Sequence, residues 1–181
     1  MRRSFVPTRT RFVAGIAALM GAGLTPQDAV ALDPDCISPP HGGLQGSEMC
    51  NLGTLDGYSS RIARRVNADG TVVVGTGRTT SGTPSAFRWV EGGAGGGPGN
   101  PQMQDLGDLF VDGCSWAAGV NADGAVVVGG SGDGVERAFR WVQGGTGGVS
   151  HDPKMEDLGT LDGMDSGVAE DVNAQYKRVL F

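Results

Sequence analysis

Large side chains are scarce in this chain: its 181 residues include 6 Phe, 3 Trp and 2 Tyr, and hydrophobic residues make up 39%. So few anchors exclude a helical bundle packed on bulky residues, and ask instead for burial through many small, regular contacts between short strands. Histidine is scarcer still. His41 and His151 are the two copies, both in Pro/Gly-rich stretches. No Gly-x-Ser-x-Gly elbow accompanies either, so the residues offer no catalytic triad and no enzyme is expected. The Asp-Gly pairs at Asp56, Asp69, Asp112, Asp123 and Asp162 lack the Asp-x-Asp-x-Asp-Gly spacing and distal Glu of a calcium loop, and read as turns. The glycine run from Gly92 to Gly99 has no Lys-Ser/Thr after it, which excludes a phosphate loop. No cofactor and no metal ion are expected.

Positive charge is in deficit as well. The formal net charge is −6. Arg2, Arg3, Arg9 and Arg11 lie in the first 31 residues beside a single acid, Asp28, and beyond them remain 10 basic and 19 acidic residues. A domain this acidic excludes nucleic acid and anionic membrane surfaces as natural partners. The longest apolar run, Phe12 to Met20 continued through Leu24, is shorter than the roughly 20 residues of a membrane span. Basic residues before that run, Thr25-Pro26 after it and Ala29-Val30-Ala31 at its end form a secretory signal, with cleavage expected after Ala31. The mature chain is expected to have no membrane span and to be periplasmic, on the outer-membrane surface or secreted. Arg2-Arg3-Ser4-Phe5-Val6 also resembles a twin-arginine export motif, leaving the export route open.

Three cysteines accompany this leader. Cys36 and Cys50 bracket a Pro/Gly-rich stretch, where a disulfide would close a short loop and add about 3 kcal/mol. Cys114 is then left over, and three free thiols are the alternative.

What the chain has in abundance is 33 glycines and an internal repeat. Val66-Asn67-Ala68-Asp69-Gly70-Thr71-Val72-Val73-Val74-Gly75 returns as Val120-Asn121-Ala122-Asp123-Gly124-Ala125-Val126-Val127-Val128-Gly129, and a third copy opens at Val172-Asn173-Ala174. Asn and Asp bond the local backbone and Gly accepts positive φ, so each decapeptide predicts a tight turn entering a valine strand. From Leu52, Leu106 and Leu158 the count to the valine of each Val-Asn-Ala step is a constant 14 residues. Four strands are expected per period: one ending at Val66 or Val120, the valine strand, Ala86 to Val90 or Ala138 to Val142, and a short Met-x-Asp-Leu strand reached through a long glycine-rich connection. Alternation places Phe87 and Trp89 inward with Arg88 outward, and sets Ile62 and Val66 on the face opposite Ala63.

These features predict an all-β fold of antiparallel four-stranded repeats, propeller-like blades numbering about two and a half, with a β-solenoid as the alternative. The expected organisation is a signal peptide over 1–31, a Pro/Gly-rich segment over 32–48, a first repeat with a preceding edge strand over 49–105, a second over 106–157 and a partial, diverged third over 158–181. The Met49 segment is expected to be a spare strand, available to close a ring. After Ala174 the motif gives way to Gln175-Tyr176-Lys177-Arg178-Val179-Leu180-Phe181, so a truncated piece of a longer protein is expected.

At Leu52-Gly53-Thr54-Leu55, at the two Asn-Ala-Asp-Gly-x-Val-Val-Val-Gly copies and at Ala86-Phe87-Arg88-Trp89 with Ala138-Phe139-Arg140-Trp141, the chain resembles the extracellular HAF repeat family. The His-Ala-Phe that names the family is here Ser85-Ala86-Phe87 and Arg137-Ala138-Phe139, so no role of that His carries over. The resemblance implies a non-catalytic, surface-exposed repeat, as in secreted bacterial proteins and autotransporter passengers, contacting a glycan or protein surface ligand. The alternative is the amino-terminal part of a secreted hydrolase whose catalytic region lies elsewhere.

Overall fold

A computed structural model describes residues 36–37, 49–175 and 178–181. The leader, its cleavage site, the twin-arginine motif and His41 lie outside the described residues. The described residues form the strands β1 (Cys36–Ile37), β2 (Met49–Cys50), β3 (Tyr58–Val66), β4 (Val72–Thr79), β5 (Pro84–Val90), β6 (Met103–Asp105), β7 (Cys114–Val120), β8 (Val126–Gly132), β9 (Glu136–Val142), β10 (Met155–Gly159), β11 (Asp171–Val172) and β12 (Val179–Leu180).

The strands form two four-stranded antiparallel meanders, β3-β4-β5-β6 and β7-β8-β9-β10, flanked by the two-stranded ribbons β1-β2 and β11-β12. The fold is therefore all-β, and its up-and-down order differs from the parallel rungs of the solenoid alternative. The Met49 segment is not a spare strand: β2 pairs with β1, with Cys36 opposite Cys50.

The two meanders are copies at the level of register. Val66 faces Val73 and Ala63 faces Gly75 in the first, while Val120 faces Val127 and Ala117 faces Gly129 in the second, each with a bulge between those pairs. The bulge explains why the decapeptides end in glycine. A Cβ at Gly75 would lie 2.0 Å from the Ile62 carbonyl oxygen, and one at Gly129 2.0 Å from that of Trp116.

Each repeat turn is latched by its Asn. The Asn67 amide donates to the Val72 carbonyl (2.9 Å) while Asn67 Oδ1 accepts from the Val72 amide (2.9 Å). Asn121 and Val126 repeat both bonds at 3.1 and 2.9 Å. Gly70 and Gly124 close the turns at φ +84° and +70°.

The third copy keeps the same latch despite losing Asp-Gly and the valines. Asn173 N donates to the Arg178 carbonyl (3.2 Å), Asn173 Oδ1 accepts from Arg178 N (3.1 Å), and Val172 faces Val179 as Val66 faces Val73. β11 and β12 thus pair in the register of the earlier hairpins although Gln175 stands where those copies have Asp.

Stacking of the meanders supplies the core. Val72, Val74 and Ala86 from one sheet pack with Ala117, Val127, Phe139, Trp141 and Met155 from the next, together with Leu106 and Leu109. On the far face of the second meander, Val126, Val128 and Ala138 pack in the same way with Ala169 and Val172. Phe87, Trp89 and Met103 on the near face of the first meet Leu52 and Leu55. Both faces of a valine strand are therefore covered, as its unbroken apolar run predicts.

That stacking corrects the expectation for Arg88, which is 6% exposed. Alternation does turn it away from Phe87 and Trp89, but that face is the junction with the next meander. There Arg88 Nε donates to the Gly124 carbonyl (2.8 Å) and Nη2 to Gln143 Oε1 (3.3 Å). The Arg88 guanidinium lies 5.8 Å from the Trp141 ring centre. Burial holds the Arg88 pKa below its ordinary value, with Asp123 opposing the shift. The bulge corrects the alternation expected on β3 as well: Ala63 and Val66 share the face of Gly75 and Val73, Ile62 lies on the opposite face with Thr76, and all three are exposed, Ile62 at 63% and Val66 at 56%.

Candidate functional site: a cleft repeated in both meanders

The glycine-rich connections are built turns rather than featureless linkers. Gly93 N donates to the Val90 carbonyl, Gly96 N to that of Pro101, Asn100 N to that of Gly97 and Met103 N to that of Asn100. Gly145, Gly148, Asp152 and Met155 make the same four bonds to Val142, Pro153, Val149 and Asp152. A Cβ at Gly96 would sit 2.1 Å from the Met103 carbonyl oxygen, and one at Gly148 2.4 Å from that of Met155, so glycine is required where the connection doubles back.

Each connection lies against the Leu-Gly step that precedes its meander, and a cleft opens between them. In the first repeat Asn51, Leu52, Gly53, Trp89, Gly99, Asn100, Pro101 and Gln102 line about 250 Å³. In the second, Asp105, Leu106, Gly107, Trp141, His151, Asp152, Pro153 and Lys154 stand at the equivalent positions around about 600 Å³. Val111, which is exposed, Asp108 and Asp112 add a rim to the larger cleft.

The backbone frame recurs and the side chains change. Asn100 Nδ2 closes part of the first cleft by donating to the Leu52 carbonyl (2.8 Å). Asp152 replaces it in the second, where a carboxylate can make no such bond. Gly99 gives way to His151, whose Nε2 lies 3.1 Å from the Asp108 carbonyl oxygen, and Gln102 gives way to Lys154, whose ammonium sits 5.7 Å from the centre of the Trp141 ring. The second cleft is thus larger, charged and mainly acidic.

Its carboxylates are differently held. Burial raises the pKa of Asp108, opposed by the Phe110 amide at 3.1 Å, by His151 and by the Gly113 amide, while Asp105 adds to the rise. Asp105 accepts from Ser85 Oγ (2.7 Å), from the Gly107 amide (2.9 Å) and from the Tyr58 hydroxyl. Tyr58 is pushed up to about 12, first by burial and then by that bond.

Other residues singled out in the sequence fall elsewhere. Asp69 and Asp123 serve their turns, Oδ1 of each accepting from the amide two residues on (3.0 and 2.9 Å). The Thr71 hydroxyl and amide hold the Asp69 carboxyl below its usual pKa. Asp56 accepts from the Gly99 amide (3.0 Å), pinning the glycine run. Asp112 occupies the left-handed region at φ 63° on the cleft rim, while Asp162 is exposed in the turn after β10. Cys50 is disulfide-bonded, its cross-strand neighbour is Cys36, and Cys114 is free, donating from Sγ to the Gly132 carbonyl (3.2 Å). Among the described residues no group of three or more His, Cys, Asp or Glu is placed to hold a metal ion. Nor is any helix there long and apolar enough to cross a membrane.

The paired clefts escaped the sequence reading. Their signal was present in the repeat alignment: Asn51, Gly99, Asn100 and Gln102 differ from Asp105, His151, Asp152 and Lys154 inside a frame that otherwise matches. No protein-family model, curated protein or solved structure matches this chain.

Proposed function

We propose that this chain is part of a non-catalytic extracellular repeat protein of the HAF type, a piece of a bacterial surface protein or autotransporter passenger engaged in adhesion. Its meanders act as propeller-like blades. β3, β7 and β11 lie side by side along the stack, an order that fits the inner strands of successive blades. Its ligand, a glycan or a protein, is met in the second cleft. The observation that carries this reading is the pairing of a constant frame with variable side chains at the same four cleft positions. A rigid scaffold that varies only in its loops is the usual arrangement of binding surfaces. Carboxylates and a lysine around a partly apolar floor suit the hydroxyls of a glycan or a polar peptide segment.

The test is a glycan-array and host-surface binding assay on the chain, run beside a peptidase and glycosidase screen. Binding is expected, with a reduction of about tenfold for Asp152→Ala, the loss of one charge-assisted hydrogen bond. The same substitution made equivalently at Asn100 in the first cleft leaves binding unchanged. Turnover that His41→Ala or His151→Ala abolishes would overturn the reading in favour of a secreted hydrolase.

A further inference from the structure

The larger cleft does not end at β6. Gln104 and Asp105 of that strand also line a second hollow of about 390 Å³, walled by Leu55, Asp56, Tyr58 and Pro98. A ligand that spans both hollows therefore lies across Gln104 and Asp105. The Gln104 side-chain amide has no hydrogen-bond partner among the described residues, so its donor and its acceptor are both available where the hollows meet. A peptide bond carries the matching pair of groups.

The walls of the two hollows narrow the ligand further. Five carboxylates, Asp56, Asp105, Asp108, Asp112 and Asp152, line them against one ammonium, that of Lys154. Ionised carboxylates only accept hydrogen bonds, so the complement has to be rich in donors. Asp105 is already engaged by Ser85, Gly107 and Tyr58, whereas the Asp112 carboxylate has no partner among the described residues. Sugar hydroxyls both donate and accept, and would leave such a surplus of acceptors unmatched. Guanidinium and ammonium groups only donate, and in arginine and lysine they end an apolar stem that suits the exposed sides of Val111 and Pro153. The first cleft keeps the frame with no charged side chain in its lining, so these charges are not what builds the frame.

We propose that the ligand of the second cleft is an extended, basic segment of another protein, a step that rests on that cleft being the ligand site. One arginine or lysine lays its stem along Val111 and Pro153 with its head group among the carboxylates, the segment's backbone crosses Gln104, and a second basic side chain enters the hollow beside Tyr58. Lys154, its ammonium held over the Trp141 ring, is the one group of the lining that opposes such a ligand by its charge.

Calorimetric titration of the full chain tests this with three probes: a blocked hexapeptide of alternating glycine and arginine, its glycine-glutamate counterpart, and cellohexaose as a neutral glycan. The arginine peptide binds, and more weakly as salt is raised, while the glutamate peptide does not. Asp112→Asn weakens the arginine peptide about tenfold, the loss of one charge-assisted contact, at a position whose φ of 63° asparagine adopts as readily as aspartate. Lys154→Gln tightens it about threefold or more, a gain that a damaged cleft could not produce. An arginine peptide that binds no better than the glutamate peptide overturns the proposal, as does one whose affinity neither substitution alters. Cellohexaose binding that Asp152→Ala weakens, with no binding of the arginine peptide, also overturns it but leaves the cleft as the ligand site. Binding of any probe that Asp152→Ala leaves unchanged removes both.

Discussion

Three equivalent asparagines make the coupling between repeats measurable. Asn67, Asn121 and Asn173 each latch their own hairpin through Oδ1, but they differ in what Nδ2 reaches. Asn67 Nδ2 crosses to the next meander and donates to the Ala122 carbonyl (3.1 Å). Asn121 is 1% exposed and its Nδ2 has no partner. Asn173 is exposed. Replacing Asn67 by Ala strands the buried Val72 amide, at about 1–3 kcal/mol, and removes a bond to a carbonyl that can turn to water, at about 1 kcal/mol. The total is about 2–4 kcal/mol. Asn121→Ala strands the Val126 amide at a similar cost, but it also deletes a buried unpaired donor whose desolvation already weighs about 1–3 kcal/mol against the fold, so the net loss is about 1 kcal/mol or less. Asn173→Ala costs about 0.5 kcal/mol, because water replaces the lost acceptor. Urea unfolding followed by tryptophan fluorescence reads the series as midpoint shifts at constant slope. By thermal scan, the gap of about 2 kcal/mol between Asn67→Ala and Asn121→Ala corresponds to about 4–8 °C. Equal losses at Asn67 and Asn121 would refute the reasoning, since the bond across the junction would then contribute nothing beyond the latch.

Further expectations follow from single contacts. Gly129→Ala drives a Cβ against the Trp116 carbonyl and costs about 3 kcal/mol or more, whereas Gly147→Ala meets only the flexible Glu156 carboxylate at 3.4 Å and stays within about 0.5 kcal/mol by urea titration. In an alkaline absorbance titration Tyr58 ionises near pH 12 rather than at the usual 10, and Tyr58→Phe removes that late step. Because the folded pKa is the higher, the stability this tyrosine contributes is intact below about pH 10 and is lost as pH rises through 12. Alkylation of the folded, unreduced chain followed by peptide mapping labels Cys114 and spares Cys50, while reductant lowers the unfolding free energy by about 3 kcal/mol, the loop-closure value for a short loop.

Much of this fold was legible because its determinants are local. An Asn that bonds its own backbone, a glycine with positive φ and a run of valines specify a hairpin without reference to anything distant, and constant spacing then multiplies the hairpin into meanders. Arg88 was misread for a complementary reason. Period-two alternation says which residues share a face but not what lies over that face, and in a stack of sheets neither face belongs to water. Arg140 sharpens the point. It occupies the Arg88 position in the second meander, yet it pairs with Glu156 on its own sheet, where Arg88 crosses to the neighbouring turn at Gly124. The sequence around the two arginines is the same Ala-Phe-Arg-Trp-Val, so nothing local distinguishes them.

The same logic accounts for the third hairpin and for the clefts. Register at Val172 and Val179 survives the loss of Asp-Gly because the Asn173 latch needs one side chain and two backbone groups, none of which changed. Identity in the remaining positions is free to respond to local burial: Ala-Gly at buried positions 118 and 119, Arg-Arg and Glu-Asp at the exposed counterparts 64, 65, 170 and 171. In the connections, backbone bonds and required glycines hold the frame, so His151, Asp152 and Lys154 replace Gly99, Asn100 and Gln102 without disturbing it. Function in such a chain is therefore to be sought where equivalent positions differ, since the positions that agree are already occupied in holding the repeat together.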